Sequence, residues 1–219
     1  MKQKYHFLFI LSGCLLLVFV LWTFAISLID VQVIGPLGSA VGFAAWNNYV
    51  HQCIGMRPAL YILTDMLSLI PFGFVLGFAI LGLVQWIRRG SVLSVDHSIL
   101  LLGGFYLVVM GIYVLFEYLA INYRPVLIEG ILEVSYPSST TVLVICVMET
   151  GAIEWKHRIQ NPRFQRSVSV SSTIFTLLMI VGRFFSGVHW VTDILGGVFL
   201  SAGLVLLYRG FRHLLSGHR

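Results

Sequence analysis

Six long stretches of almost unbroken apolar sequence run through this chain, at about 7–29, 59–85, 97–120, 138–155, 168–183 and 190–208. A run of roughly 18 apolar residues or more is long enough to cross the hydrocarbon of a bilayer as a helix. In lipid every backbone N–H and C=O must be paired within its own segment, so such runs have to be helical. The fifth run is the shortest. Composition agrees: 58% of residues are hydrophobic and 11% are charged, where a soluble domain carries about 25% charged residues. Mean hydropathy is +0.92. The expectation is an all-α, polytopic membrane protein, with six transmembrane helices in one bundle that uses residues 1–219 as a single domain. No internal repeat, low-complexity run or Pro/Ser linker interrupts it, and 30–58 is its one sizeable interlude.

The net charge of +5 is no nucleic-acid footprint, because its distribution follows the membrane. With the N-terminus in the cytoplasm, Lys2, Lys4, Arg88, Arg89, Lys156, Arg158, Arg163, Arg166, Arg209, Arg212 and Arg219 all fall inside, eleven of the 14 Lys and Arg residues. That is the bias the positive-inside rule demands. Only Arg57, Arg124 and Arg183 are left outside. Both termini are therefore expected in the cytoplasm, and the chemistry on the extracytoplasmic side of the cell membrane. The implied partner is the lipid bilayer itself, with no nucleic acid and no obligate protein partner evident.

Leu11-Ser12-Gly13-Cys14 matches a lipoprotein processing site. Cleavage there would leave an apolar region of only about seven residues, at the short limit for a signal peptide, and the run continues to Ile29. We read an uncleaved first transmembrane helix. Cys53 and Cys146 form no pairing or metal-ligand pattern. In the interlude, Trp46, Tyr49, Val50, Cys53 and Ile54 recur at spacings of three and four. That pattern suits a short helix lying in the outer interface between helices one and two; an ordinary connecting loop is the alternative. His51 on this segment is either an auxiliary group that reaches the site or an interfacial histidine.

Just before the last apolar run the chain reads Arg183-Phe-Phe-Ser-Gly-Val-His189-Trp-Val-Thr-Asp193. His189 and Asp193 are four apart, so on a helix they share a face. A carboxylate one turn beyond an imidazole can accept its Nδ1 proton and aim Nε2 outward as a nucleophile or base. Arg183 offers a planar fork matched to phosphate oxygens. In so apolar a chain, these three residues point to phosphoryl chemistry at a membrane surface.

Two further segments face the same side. One is Glu117-Tyr-Leu-Ala-Ile-Asn-Tyr-Arg124-Pro125, at the outer end of the third run. The other is Tyr136-Pro137-Ser138-Ser139-Thr140-Thr141, opening the fourth. Proline followed by small hydroxyl residues starts a helix well, and the free N–H groups with the helix dipole attract an anion. Helix capping alone is the simpler account of that turn. Beside Arg124, Arg183 and His189 it becomes half of a phosphate cradle.

This ordered set resembles the type 2 phosphatidic acid phosphatase family, relatives of the vanadium haloperoxidases. Their pattern is K-x6-R-P, then P-S-G-H, then S-R-x5-H-x3-D, on six transmembrane helices. Arg124-Pro125, Pro137-Ser138, and Arg183, His189 and Asp193 match it in register, with Gly182 in place of the serine. The resemblance implies that His189 attacks phosphorus and Asp193 orients it. It also implies that Arg124, Arg183 and the Ser138-Ser139-Thr140 turn hold the phosphoryl oxygens. A phosphohistidine would form and be hydrolysed, with no metal or cofactor required.

Two departures stand out. The lysine position holds Glu117, and the glycine-histidine pair reads Ser139-Thr140. That histidine is the family's general acid, and losing such a group typically lowers rates by about 10²–10⁴-fold. Either another group supplies the proton, or the leaving group needs none, or the protein binds without catalysing. Glu117 is a candidate replacement acid, and also a candidate neutralising partner for Arg124; Glu133, Tyr136 and His51 are weaker candidates for the acid. A diphosphate tolerates the loss best, because its leaving phosphate is already a weak base with a second pKa of about 6.

The expected activity is hydrolysis of a membrane lipid phosphate or diphosphate, with a polyprenyl diphosphate favoured. Transfer to a lipid or sugar hydroxyl, or binding without turnover, are the alternatives. The remaining intramembrane acids read as structural: Asp65 as a partner for Arg57, and Glu149 toward the inner half. Gly196, Gly197, Ser201 and Gly203 in the last run read as close helix packing.

Overall fold

A computed structural model describes residues 2–217, with side chains described over 5–215. Arg219 and the side chains of Lys2 and Lys4, which the orientation argument used, lie outside the described residues. The apolar runs form helices: α1 (Lys2–Leu28), followed by a two-residue antiparallel pair β1 (Gln32–Val33) and β2 (Ala40–Val41), then α2 (Ala44–Ile54), α3 (Pro58–Leu67), α4 (Leu69–Arg89), α5 (His97–Leu119), α6 (Ser139–Arg158), α7 (Pro162–Ser186) and α8 (Val191–Gly217).

Local chemistry sets the ends. Pro162 occupies the first turn of α7, and the Asn161 side chain accepts from the Arg163 amide at 2.9 Å, so α7 begins six residues before the apolar run does. The second run is divided. Pro71 has no N–H to give the Leu67 carbonyl, and α3 gives way to α4 at Ser68, a consequence of proline chemistry that the run length alone conceals. The Ser68 hydroxyl donates to the Asp65 carbonyl there at 2.5 Å.

Among the described residues, five stretches are long and apolar enough to cross a membrane: Tyr5–Leu28, Pro58–Arg89, His97–Leu119, Pro162–Ser186 and Val191–Leu215. This is an all-α, multi-pass membrane protein. Its outer surface inverts the soluble pattern, with Leu21 and Phe24 on α1, Leu76 and Ile80 on α4, Leu107 on α5 and Leu178 on α7 all exposed. Apolar faces of that extent are stable against lipid. The fourth run, α6, falls short of the same measure because it carries Glu149, Glu154, Lys156 and Arg158.

Helices α6 and α8 form the centre: α1 packs along α8, α7 along α6, and α3 along α7. Close approach explains the glycines of α8. A Cβ on Gly196 would stand 2.4 Å from the Tyr136 ring. At the end of the bundle away from Asp193, Glu154 is fully buried and satisfied by Tyr208 Oη at 2.7 Å, Arg212 Nε at 2.8 Å and Arg158 one turn on. Glu149 accepts from Arg209 at 2.9 Å. Both acids tie α6 to α8, the structural role read for Glu149.

Candidate active site

Helix α7 stops at Gly187, whose φ of 70° is left-handed. A Cβ there would meet the Gly55 carbonyl oxygen at 2.1 Å, so this position needs glycine on both counts. The chain then passes through Val188, His189 and Trp190 before α8 begins. His189 thus stands in the turn ahead of the helix instead of on it, correcting the expectation of a shared helix face. The turn is pinned from three sides: Trp190 Nε1 donates to Tyr123 O at 2.8 Å, Arg57 N to Ser186 O at 2.9 Å, and His51 Nε2 lies 3.1 Å from Gly187 O.

Asp193 sits in the first turn of α8. Its Oδ2 accepts the Trp190 amide at 3.0 Å, the reach-back of an acidic residue at a helix start. Its Oδ1 accepts Asn122 Nδ2 at 3.2 Å, and Oδ2 lies 3.8 Å from His189 Nδ1. Neither His189 nor Asp193 is more than 5% exposed, and both ring nitrogens of His189 lack a hydrogen-bond partner. Burial first, then the Arg124 and Arg183 guanidiniums, hold the His189 pKa well below its ordinary value of 6.5. That shift favours the neutral ring, the form with a free nitrogen lone pair.

Both arginines reach the same place from different elements. Arg183, on the last turn of α7, is 2% exposed; its Nη1 donates to Thr64 Oγ1 at 3.3 Å, and the guanidinium covers the Tyr61 ring at 5.3 Å. Asp65 Oδ1 lies 4.0 Å from that Nη1. Asp65 therefore faces Arg183, while Arg57 lies over the Phe185 ring at 5.7 Å; the expected Arg57–Asp65 pair does not form. Arg124 follows α5 in a narrow loop, where its N–H donates to the Glu133 carbonyl at 3.0 Å. Its Nε lies 2.9 Å from Glu133 Oε2, near enough for an ion pair though not aligned as a hydrogen bond. Glu133, not Glu117, is its carboxylate partner. Arg124 Nη1 and Arg183 Nε are buried with no acceptor.

The start of α6 is joined to the same point. Ser138 N donates to Asp193 O at 3.1 Å, and the buried Ser138 Oγ accepts from Thr141 Oγ1 at 3.0 Å. The amides of Ser139, Thr140 and Thr141 follow in the first turn, where helices leave N–H groups unpaired. Ser139 and Thr140 also border a cavity of about 350 Å³ between α4, α5 and α6. Its walls include Phe72, Val109, Phe116 and Leu143, and Glu117 lines it as well.

The auxiliary residues divide. His51 lies 5.4 Å from the Trp190 ring and borders, with His189, a cavity of about 10 Å³, room for one water. Tyr136 is buried, its hydroxyl is engaged with Thr23 Oγ1 at 2.7 Å, and it borders the same cavity as Ser139, Thr140 and Glu117. Asn122 is the residue the sequence reading missed; no pattern marks an asparagine two positions before Arg124. Among the described residues, no three His, Cys, Asp or Glu side chains are grouped to hold a metal ion, and Cys14, Cys53 and Cys146 are free thiols.

No family model and no curated protein matches this chain. Among solved structures, it is similar to the crystal structure of a transmembrane PAP2-type phosphatidylglycerolphosphate phosphatase from Bacillus subtilis. The TM-score is 0.63 at 21% identity, over 92% of this chain and 96% of that one. This chain has the fold of that PAP2-type transmembrane phosphatase.

Proposed function

We propose that this protein is a lipid-phosphate or lipid-diphosphate phosphatase, acting at the extracytoplasmic face on a substrate held in the bilayer, with a polyprenyl diphosphate favoured. One observation carries the reading: two buried arginines, each with an unpartnered N–H, flank a buried neutral histidine beside a helix N-terminus. Buried donors without acceptors are rare, and a phosphoryl group supplies acceptors to all of them at once.

In this mechanism His189 Nε2 attacks phosphorus and the bond to the leaving oxygen breaks, giving a phosphohistidine and a free lipid phosphate, or a lipid alcohol once its oxygen takes a proton from Glu117 or water. Asp193 accepts a hydrogen bond from Nδ1–H and steadies the positive charge that develops on the ring. Arg124, Arg183 and the amides of Ser139 and Thr140 hold the equatorial oxygens. Water then attacks phosphorus, the P–N bond breaks, and inorganic phosphate leaves with His189 regenerated. No step calls for a metal. The topology that goes with this is six spans with both termini cytoplasmic, α6 crossing inside the bundle and α2 lying in the outer interface.

Thr140 and Glu117 favour a second reading, in which the site binds a lipid phosphate without turning it over. Purified protein in detergent, given polyprenyl diphosphate, phosphatidate and phosphatidylglycerol phosphate in the presence of EDTA, separates them. Released inorganic phosphate supports the phosphatase. Saturable binding without release establishes the second reading, and transfer of the phosphoryl group to an added lipid alcohol instead of water makes it a transferase.

A further inference from the structure

Asp193 can orient His189 only if its own carboxylate is held, and the surroundings of Asn122 meet that need. Asn122 follows α5, is 1% exposed, and its backbone carbonyl accepts the Ser135 amide at 2.9 Å. Its two side-chain atoms have different partners. Oδ1 faces the Gly42 amide at 3.4 Å, and Nδ2 faces Asp193 Oδ1 at 3.2 Å. A backbone N–H can only donate, so Gly42 fixes which end of the amide points at Asp193.

Gly42 is itself immobile. A Cβ there would overlap the Ile26 carbonyl oxygen at 1.7 Å, so its backbone lies flush against α1. Its carbonyl accepts Asn47 Nδ2 at 2.8 Å, and the same Nδ2 donates to Thr192 Oγ1 at 2.9 Å, one residue before Asp193. The β1–β2 segment and α2 thus brace the asparagine that braces the aspartate. Oδ1 is held by Asn122, while Oδ2 accepts the Trp190 amide and faces His189 Nδ1.

We propose that Asn122 is a positioning residue for the His189–Asp193 pair, acting through its amide bond to Asp193 Oδ1. The inference rests on the phosphatase reading for its activity test, and on the Asn122–Asp193 hydrogen bond alone for its second test.

The test is Asn122→Asp, which keeps the shape and the acceptor for Gly42 but replaces the donor with a second carboxylate. Two carboxylates at this distance share one proton, so one of them titrates at raised pH. Full-length protein in detergent should lose kcat about 10–100-fold at pH 8, the usual size of effect for a partner that orients a functional histidine. KM should change less than threefold. The loss relative to wild type at the same pH should shrink as pH falls toward 5.5, because the introduced carboxyl, once protonated, donates to Asp193 as the amide did. A variant that matches wild type at every pH overturns the inference. So does one equally impaired at every pH, since that marks a merely structural role. If wild type releases no phosphate from any lipid, the phosphatase reading fails, and ¹⁵N-histidine NMR decides the inference separately. His189, assigned with His189→Gln, should then change tautomer or titration between wild type and Asn122→Ala, and unchanged signals overturn the inference.

Discussion

Asp193 Oδ2 lies 3.8 Å from His189 Nδ1 while it accepts the Trp190 amide at 3.0 Å. The carboxylate is in place before the imidazole engages it. Hydrogen-bond range is about 2.7–3.2 Å, so less than 1 Å of ring movement closes the pair. Such looseness is common in substrate-free sites and tightens when the substrate binds. A phosphoryl group drawing Nε2 forward supplies a reason for the ring to turn.

Replacing His189 with alanine should abolish phosphate release, by roughly 10³-fold or more, since the residue forms the covalent bond. The variant should still insert and elute as a single species, because no hydrogen-bond partner depends on the ring. Retention of most activity would exclude a phosphohistidine. Asp193→Asn should lose as much or less, since the shape is kept and the tautomer is upset.

Thr140→His places the missing acid on the first turn of α6, on the cavity that Glu117 also lines. Phosphatidate hydrolysis should rise at least tenfold, within the roughly 10²–10⁴ that a general acid contributes, while polyprenyl diphosphate hydrolysis should barely change. Paired assays with Glu117→Gln read the rest. Equal wild-type rates on both substrates, lost in Glu117→Gln, would make Glu117 the acid and refute the leaving-group argument.

Glu133 competes with the substrate for Arg124. Glu133→Gln removes the charge 2.9 Å from Nε, so KM for a lipid phosphate should fall about two- to tenfold with little change in kcat. Arg124→Ala should do the opposite and lower kcat too. A higher KM in Glu133→Gln would mean that Glu133 holds Arg124 in position rather than screening it.

The buried neutral His189 also shapes pH dependence. Unfolded, it takes a proton near pH 6.5; folded, burial and then Arg124 and Arg183 hold its pKa well below that. Between the two values the unfolded chain binds more protons, so stability falls as pH falls below about 6.5. Thermal unfolding in detergent should show this slope, and His189→Gln should flatten it. An unchanged slope would place the titrating group elsewhere.

Gly187→Ala should destabilise the site turn by about 1–3 kcal/mol, from its left-handed backbone alone, with the Gly55 contact adding to it. Gly77→Ala on α4, where nothing lies within 4 Å of the new Cβ, should be neutral or slightly stabilising. Equal melting temperatures for the two variants would contradict the close packing of Gly187 against Gly55.

Spans and motifs were legible because both follow short-range rules. Run length located the long helices, and the spacing of Arg183, His189 and Asp193 pointed to the candidate site. What escaped depends on pairs distant in sequence. Arg124 could have met Glu117 or Glu133, and only the loop that brings residue 133 back beside 124 decides it. Asp65 faces Arg183 instead of Arg57 because α3 packs on α7. Asn122 carries no local signature, since its role comes from Gly42 and Asp193, 80 and 71 residues away. The division of the second run at Ser68 was readable from Pro71, but hydrophobic length masked it.

The acids of α6 bear on how the chain is made. On the six-span reading, α6 is translated fourth, yet the residues that bond Glu149 and Glu154 across the bundle, Arg209, Tyr208 and Arg212, belong to α8, which is made two helices later. A charged side chain central in a lone helix disfavours membrane insertion by about 2.5–3.5 kcal/mol, against 0.3–0.6 gained per leucine or valine. A nascent chain that ends before residue 208 therefore holds an α6 whose carboxylates lack those partners, and such a truncated chain should be extracted from membranes by alkaline carbonate more readily than the full one. The carboxylates of α6 wait on α8 for these partners.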